Sequence, residues 1–335
     1  MPVIRMRSAV IYLTERCPLA CGYCYFRDKR QHDLSWKVLA NFLVLVKREW
    51  GSPRSFVISG GEPLMCWDKV KKLVMALRSG FPGADVRMQT NGLMLDRTKI
   101  AWLSARGVGL EFGIDGDLGT TARWRRPMDR GMFARLVRNI RAALDAGISC
   151  GCTMTVHPDE VARMAENLRF LKGIGLSCVD ITPAAFMPWD AARRAAFRAA
   201  YVDIVATPAL RRMLFTREDR EFMPAGLMDI SLHPPGDVLL GDAFLCLPGK
   251  ARKKFSLWDP ATGTLRPQMV AYYRRRYALL WKRPSWRTYR DHVSFGFEMV
   301  NAMMGRNYLN TRQIVPLMRF MTRVHLSYGH KKISA

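Results

Sequence analysis

The sequence predicts an α/β fold in which short parallel strands alternate with amphipathic helices. Short apolar runs bounded by turn residues are typical of buried strands. Six of them lie at about residues 8–14, 54–59, 84–90, 108–114, 148–156 and 177–183. Helical apolar spacing fills the segments between them. Strands that alternate with helices form a parallel sheet with right-handed crossovers.

Each predicted helix is delimited by residues that favour helix ends. The first covers 33–51, where Asp33 and Ser35 are candidate N-caps and Gly51 is the stop. Glycine also stops the segments that follow later strands. The further helical segments are 67–80, 96–107, 131–147 and 159–175, and a longer pattern at 190–215 is interrupted at Pro208.

Composition favours a cytoplasmic protein with a large core. The chain has 335 residues, of which 49% are hydrophobic, and this suffices for a barrel-sized domain. No run of 18 apolar residues occurs, and residues 1–17 lack the apolar run and cleavage site of a signal peptide. Thiols stay reduced in the cytoplasm, so clustered cysteines indicate metal binding or redox chemistry rather than a disulfide.

Three of the eight cysteines lie within eight residues. Cys17, Cys21 and Cys24 follow the first predicted strand in the spacing C-x3-C-x2-C. A structural zinc site closes with four ligands, usually as two pairs, and the nearest histidine is His32. A [4Fe–4S] cluster takes one thiolate per iron, so three cysteines would leave one iron open to an external ligand. Three unrelated loop thiols are the plain alternative.

The segment ISGGEPL follows the second predicted strand. Gly60 and Gly61 allow the backbone to approach a ligand closely, and Pro63 stiffens the turn. Glu62 offers a negative charge for an ammonium group.

Polar residues also end the third and fourth predicted strands, in the segments MQTNGLML (88–95) and LEFGIDG (110–116). Ligands of parallel α/β folds bind outside the carboxyl ends of the strands. We therefore expect these two segments, the cysteine loop and the glycine turn to converge in space.

In this order the four segments resemble the motifs of the radical S-adenosylmethionine (SAM) enzymes, over roughly residues 5–185. The likeness is greatest to peptide- and cofactor-modifying members that carry a SPASM extension. It implies an incomplete β6/α6 barrel, which is a partial TIM barrel. It also implies that one [4Fe–4S] cluster is bound by Cys17, Cys21 and Cys24. The implied SAM-binding residues are Tyr23 beside the adenine, Gly60, Gly61, Glu62 and Pro63 at the amino group, Asn91, Asp115, and Arg125 at the carboxylate.

Two departures from the family pattern stand in the same region. The serine of the fourth motif is Gly113 here, and the His-Asp pair that often precedes the arginine is Thr121 and Ala122. One or two hydrogen bonds to SAM must therefore come from other residues.

The resemblance implies an enzyme that cleaves SAM reductively and forms a 5′-deoxyadenosyl radical, which abstracts hydrogen from a substrate. The electron would come from a one-electron donor of the flavodoxin or ferredoxin type. A peptide or peptide-derived natural product is the expected substrate. A binding protein with a degenerate barrel would lack these motifs, and a simple electron-transfer protein would need no SAM-binding turn.

Beyond the core (1–185), the sequence divides into a helical linker (186–269) and a basic, aromatic-rich, mainly helical extension (270–335). The linker resembles the start of a SPASM extension through Cys246, Gly249 and Gly263. Gln268 stands where that pattern has a cysteine, and no cysteine follows Cys246. We therefore expect a cluster-free remnant or a chance likeness.

The charge of the chain is strongly positive, at +25, with 53 Lys and Arg against 28 Asp and Glu. Residues 270–335 alone hold 13 basic and 2 acidic residues, mixed with Trp and Tyr. Such a segment suits an anionic surface, which could be lipid, an acidic peptide or RNA. The alternatives are therefore a membrane-surface radical enzyme acting on a lipid or isoprenoid, an RNA-modifying radical enzyme and a silent SAM-binding protein. A solvated helical face is the plain interpretation.

The remaining thiols and one histidine are expected to be structural. Cys150 and Cys152 alternate along the fifth strand and so share a face, and Cys178 lies at the sixth. Cys66 follows the glycine turn and is also expected to be structural. His157 is expected on a loop surface.

Overall fold

The computed structural model describes the core of the chain and parts of its carboxyl-terminal half. The described residues are 8–24, 26, 31–185, 187–214, 229–240 and 253–272, together with positions 313, 316, 317, 320, 321 and 324. Most of the basic extension lies outside these ranges, and so do Cys246 and Gly249.

A sheet of eight strands forms the centre of the molecule, in the order β10-β9-β1-β3-β4-β5-β7-β8. All neighbours are parallel except the β9–β10 hairpin. The strands are β1 (Ser8–Tyr12), β3 (Ser55–Ser59), β4 (Asp85–Thr90), β5 (Val108–Gly113), β7 (Cys150–Val156), β8 (Val179–Pro183), β9 (Asp229–His233) and β10 (Asp237–Leu240). Two short pairs lie apart from it, β2 (Ala20–Cys21) with β6 (Arg125–Arg126), and β11 (Trp258–Asp259) with β12 (Thr264–Leu265).

Helices connect the parallel strands. They are α1 (Trp36–Trp50), α2 (Trp67–Gly80), α3 (Arg97–Ser104), α4 (Leu118–Trp124), α5 (Arg130–Asp145), α6 (Met164–Gly173), α7 (Ala191–Ala206) and α8 (Pro208–Arg211). Short 3₁₀ turns cover Pro63–Cys66 and Pro158–Arg163. Side-chain oxygens cap several amino-terminal ends, and Ser35 rather than Asp33 caps α1.

The predicted α/β fold is confirmed, and each of the six predicted strands begins and ends within two residues of an observed one. The β9–β10 hairpin, which turns at a Pro-Pro-Gly segment, was not predicted. β9 pairs in parallel with β1, so that Ser8 lies opposite Asp229. A partner so distant in sequence leaves no local signal.

The sheet has one apolar face, and its other face carries polar side chains on the central strands β4 and β5. Side chains such as Val86, Met88 and Leu110 are fully buried in the core that the helices cover. The alternate residues face the other way because successive side chains of a strand point to opposite faces. On β4 and β5 these are Arg87 and Glu111, both partly exposed. The inner face of the partial barrel is therefore polar at its centre.

The β11–β12 pair packs onto the edge hairpin of the main sheet. Trp258 is buried, donates from Nε1 to the Gly236 carbonyl oxygen at 2.6 Å and meets the Phe42 ring edge-on. Gly263 lies in the turn between these strands with a φ of 67°, and Gln268 is exposed beyond them. The likeness to a SPASM extension, and the boundaries 186–269 and 270–335, remain predictions.

In the part of the chain that the structure describes, no helix has both the length and the apolar character needed to cross a membrane.

Candidate active site

The predicted site residues converge at the carboxyl edge of the parallel sheet. The cysteine loop follows β1, and the glycine turn follows β3. Asn91 follows β4, and Asp115 follows β5. This edge is where parallel α/β folds place their ligands.

The glycine turn holds the backbone of the segment that leads into the cysteine loop. The amide groups of Gly61 and Glu62 donate to the carbonyl oxygens of Thr14 at 2.7 Å and Arg16 at 2.8 Å. A Cβ on Gly60 would lie 2.6 Å from the Thr14 oxygen, and one on Gly61 would lie 2.7 Å from the Arg16 carbonyl carbon. The close approach expected for a ligand is therefore made by the chain itself, and only glycine permits it.

The Glu62 carboxylate is fully buried, with 0% exposure. One oxygen accepts from the Leu64 amide at 3.0 Å and the Thr90 hydroxyl at 2.8 Å, and the other accepts from the Asn91 amide at 2.7 Å. Burial raises the pKa of Glu62 to about 7, although these hydrogen bonds act to lower it. The Glu62 carboxylate thus joins the ends of β3 and β4, and its contact with an ammonium group stays a prediction.

A second clamp holds the same segment through side chains. Arg16 pairs with Asp33 through Nε at 3.0 Å and Nη2 at 2.7 Å, and the Thr14 hydroxyl donates to the same carboxylate. The Cys66 thiol lies between the two charges, 3.2 Å from Arg16 Nη2 and 3.4 Å from Asp33 Oδ2. Its expected structural role fits this position.

The three loop cysteines are half-buried and form no disulfide. Cys17 Sγ accepts from the Leu19 amide at 3.4 Å, and the Asn91 side-chain amide lies 3.8 Å from it. Burial raises the pKa of Cys21, while Arg125 lowers it. Asn91 thus contacts a cysteine of the loop and, through its backbone, the carboxylate of the glycine turn.

Asp115 is the centre of a buried polar network. Its carboxylate accepts from Arg125 Nε at 2.8 Å and Nη2 at 2.7 Å, from the Tyr23 hydroxyl and from the Thr155 amide at 2.9 Å. The Arg125 guanidinium lies 5.5 Å from the Tyr23 ring centre. The structure thus places the Tyr23 hydroxyl on Asp115, a contact that sequence analysis did not predict.

Two of the residues that depart from the family pattern, Gly113 and Thr121, contact this network. A Cβ on Gly113 would lie only 2.5 Å from Arg125 Nη1, so the guanidinium fills the space of the missing serine side chain. The Thr121 hydroxyl accepts from the Asp115 amide at 3.3 Å and donates to the Gly116 oxygen at 3.0 Å. Gly113 thus makes room for Arg125, while Thr121 fixes the turn that carries Asp115.

His157 is buried, with 6% exposure, so its expected place on a loop surface was wrong. Its ring stacks on Trp124 at 3.4 Å between ring centres, and its Nδ1 accepts from the Asp159 amide. The Trp124 ring in turn packs beside Gly22 of the cysteine loop, and the Trp124 carbonyl oxygen accepts a hydrogen bond from the Gly22 amide at 2.9 Å. Sequence analysis missed Trp124, which belongs to no motif and is the last residue of α4, directly before β6.

The arrangement fits an iron–sulfur cluster and a small polar ligand. One loop supplies three thiols, which are soft ligands suited to iron. The Trp124 indole N–H is buried beside this loop and has no acceptor among the described residues, so a bound group could supply one. No three Cys, His, Asp or Glu side chains in the described ranges form a site for a single metal ion.

A parallel α/β sheet with such a loop at its carboxyl edge defines a partial TIM barrel built around clustered thiols. Residues 11–171 match the model of the Radical SAM superfamily. This part of the chain is a radical SAM domain, and the proteins of that superfamily are enzymes that use a [4Fe–4S] cluster and SAM.

Similar proteins include two curated enzymes. The chain is 27% identical over 194 residues to the PqqA peptide cyclase of Gluconobacter oxydans, across 56% of this chain and 52% of that protein. It is 29% identical over 215 residues to the GTP 3′,8-cyclase of Xanthomonas axonopodis pv. citri, across 55% and 59%. The chain thus spans between half and three fifths of the length of these relatives.

Among solved structures, native anSMEcpe with bound AdoMet and Cp18Cys peptide shares the fold with a TM-score of 0.64. The sequences are 16% identical, and the match covers 78% of this chain and 79% of that one.

Gly61→Ala is expected to displace residues 14–16, because the added methyl group would overlap the Arg16 carbonyl group. We expect a loss of about 1–3 kcal/mol in the free energy of unfolding and less iron and sulfide bound after anaerobic reconstitution. Denaturant titration and iron analysis measure both. The matched control is Gly83→Ala, whose Cβ meets no atom within 4 Å. Equal iron content in the two variants would contradict the role of Gly61.

His157→Phe is expected to change the pH dependence of stability. Burial lowers the pKa of His157 to about 4, from about 6.5 in the unfolded chain. The stabilisation is therefore complete above pH 6.5 and is lost as the pH falls towards 4. Phenylalanine keeps a stacking ring but cannot titrate, so the variant should lose less stability over this window. Urea denaturation measures the free energy of unfolding of both proteins over this pH window. An equal loss in the wild type and the variant would contradict this expectation.

Proposed function

We propose that this protein is a radical SAM enzyme, with Cys17, Cys21 and Cys24 as ligands of a [4Fe–4S] cluster. The observation that carries the proposal is the convergence of these thiols with the glycine turn, Asn91 and the Asp115 network at one sheet edge. When bound, the cluster supplies the electron that cleaves SAM to methionine and a 5′-deoxyadenosyl radical.

Arg125 is the proposed partner of the SAM carboxylate. Its Nε and Nη2 are taken by Asp115, whereas Nη1 makes no hydrogen bond to any described residue. A guanidinium that is held on one edge presents its remaining N–H groups in a fixed direction.

The chain also protects the reaction from water. Cys24 packs against the small apolar cluster formed by Val10, Tyr12 and Phe26. Trp124 and His157 cover another side of the loop. A dry site without loosely held hydrogen donors is what a reactive radical needs. Tyr23 also lies in the cysteine loop. We propose that its ring lies beside the adenine while its hydroxyl keeps its hydrogen bond to Asp115.

We propose a peptide, or a natural product derived from one, as the substrate. The polar inner face of the partial barrel supports this choice. The Ser59 hydroxyl donates to Gln89 at 2.8 Å, and Gln89 Nε2 lies 3.4 Å from Glu111. Arg87 donates to Glu111 at 3.1 Å, while the two charged side chains keep 24% and 30% exposure. A filled barrel would carry branched apolar side chains at these positions.

These four side chains, Ser59, Gln89, Glu111 and Arg87, are here called the polar ladder. The polar ladder favours a substrate with hydrogen-bonding groups over an isoprenoid chain. The similarity to PqqA peptide cyclase, whose name gives a peptide as its substrate, points in the same direction. The lipid and RNA alternatives depend on the basic extension, nearly all of which lies outside the described residues.

Cys21→Ser is expected to abolish SAM cleavage, because oxygen is a poor substitute for a thiolate on iron. The measurement is 5′-deoxyadenosine formation from SAM and dithionite under anaerobic conditions after cluster reconstitution. Cys178→Ser is the control, since that half-buried thiol lies outside the motif. Wild-type activity in Cys21→Ser would refute the ligand assignment.

The double variant Arg87→Leu/Glu111→Leu tests the polar inner face, and it leaves the net charge of +25 unchanged. We expect SAM cleavage in the absence of substrate to stay at the wild-type level. The modification of a peptide encoded beside the gene should be lost, and mass spectrometry measures this modification. A polyprenyl diphosphate serves as the comparison substrate. Modification of that lipid by the wild type would count against a peptide substrate. Full peptide turnover by the variant would count against the role of the polar inner face.

A further inference from the structure

We propose that an acidic one-electron carrier protein docks on the outer face of the β2–β6 ribbon, here called the ribbon face and formed by Ala20, Arg123 and Arg126. The inference rests on the proposed function, because it assumes that Cys21 on β2 is a cluster ligand. It adds the surface through which the electron arrives and the kind of partner that fits it.

The ribbon is the part of the fold that joins a cluster ligand to the surface. Cys21 lies opposite Arg125, and Ala20 lies opposite Arg126, in an antiparallel pair. Successive side chains of a strand point to opposite faces. Arg125 is buried in the Asp115 network, whereas Ala20 and Arg126 are exposed. One face of the ribbon therefore looks into the site and the other into solvent.

Only this two-stranded ribbon separates Cys21 from the ribbon face. The exposed residues on either side of Cys21 are Ala20 and Gly22, which add little thickness. A carrier seated on the ribbon face would thus approach the ligand sulfur across the backbone of one short strand. A short path is the requirement for fast electron transfer, in which one electron leaves the carrier and enters the cluster while no bond is made or broken.

The charge of the ribbon face is positive. Arg126 Nε donates to the Arg123 carbonyl oxygen, which holds the two arginines together. Arg123 keeps 53% exposure although its Nη1 contacts Glu160, which is buried. Asp129, three residues after Arg126, is an exposed acid whose carboxylate caps α5.

An acidic partner follows from these charges. Opposite potentials speed diffusional encounter and fix the orientation of two proteins, and the effect weakens as salt rises. Small anionic reductants such as dithionite need no docking surface. The donor can therefore be varied to separate docking from chemistry.

The test compares reduced flavodoxin, an acidic carrier, with dithionite as the electron source for the reconstituted full chain. The variants are Arg126→Glu, Arg126→Lys, which keeps the charge, and Arg138→Glu on the exposed face of α5 as the matched control. The rates measured are cluster reduction by absorbance and 5′-deoxyadenosine formation, each at low and high salt.

We expect Arg126→Glu to lower the flavodoxin-driven rate at low salt by about tenfold or more, with the dithionite-driven rate unchanged. Arg126→Lys and Arg138→Glu should stay near the wild type, and added salt should reduce the difference between variants. A flavodoxin rate that is unaltered in Arg126→Glu, or lowered equally in Arg138→Glu, would overturn the docking surface. Absence of SAM cleavage with dithionite in the wild type would instead refute the proposed function, and the docking proposal with it.

Discussion

The backbone contact between residues 14–16 and the glycine turn is the constraint on which the candidate site depends. β1 and β3 are neighbours in the sheet, so their carboxyl ends emerge side by side. The chain leaving β1 then lies so close to Gly60 and Gly61 that no side chain fits between them. Two amide groups of the turn complete the contact. The position of Cys17, one residue further on, is thus set by strand pairing rather than by the loop itself.

The Asp115 network performs the same task on the other side of the site. A buried arginine and aspartate stabilise a fold only when each is fully paired, because removal of either partner leaves an uncompensated charge at a cost of about 3–5 kcal/mol. Here the bidentate pair is completed by Tyr23 from the cysteine loop and by the Thr155 amide from β7. The network therefore ties the cysteine loop to β5 and β7, as the glycine turn ties it to β3.

The sequence was sufficient to predict the strand order along the chain and the edge at which the motifs meet, because strand–helix alternation fixes both. It could not reveal the β9–β10 hairpin, whose partner is β1, or the burial of His157, which depends on Trp124. The direction of side chains was equally hidden. Glu62 lies in a motif that suggested a ligand contact, yet its environment is decided by Thr90 and Asn91 on the next strand. Whether the predicted residues bind a cluster and SAM remains a prediction.

The contrast between the surface and the interior bears on how such a protein selects its partners. The chain is strongly basic, yet the described inner face pairs Arg87 with Glu111 and joins Glu111 to the neutral side chain of Gln89. Surface charge acts over distances set by ionic screening and so governs which macromolecules approach. Paired charges with partial exposure act only at contact, where an unmatched polar group is costly. Encounter with a carrier and selection of a substrate would then be controlled by different residues, the first by exposed arginines and the second by the polar ladder on β3, β4 and β5.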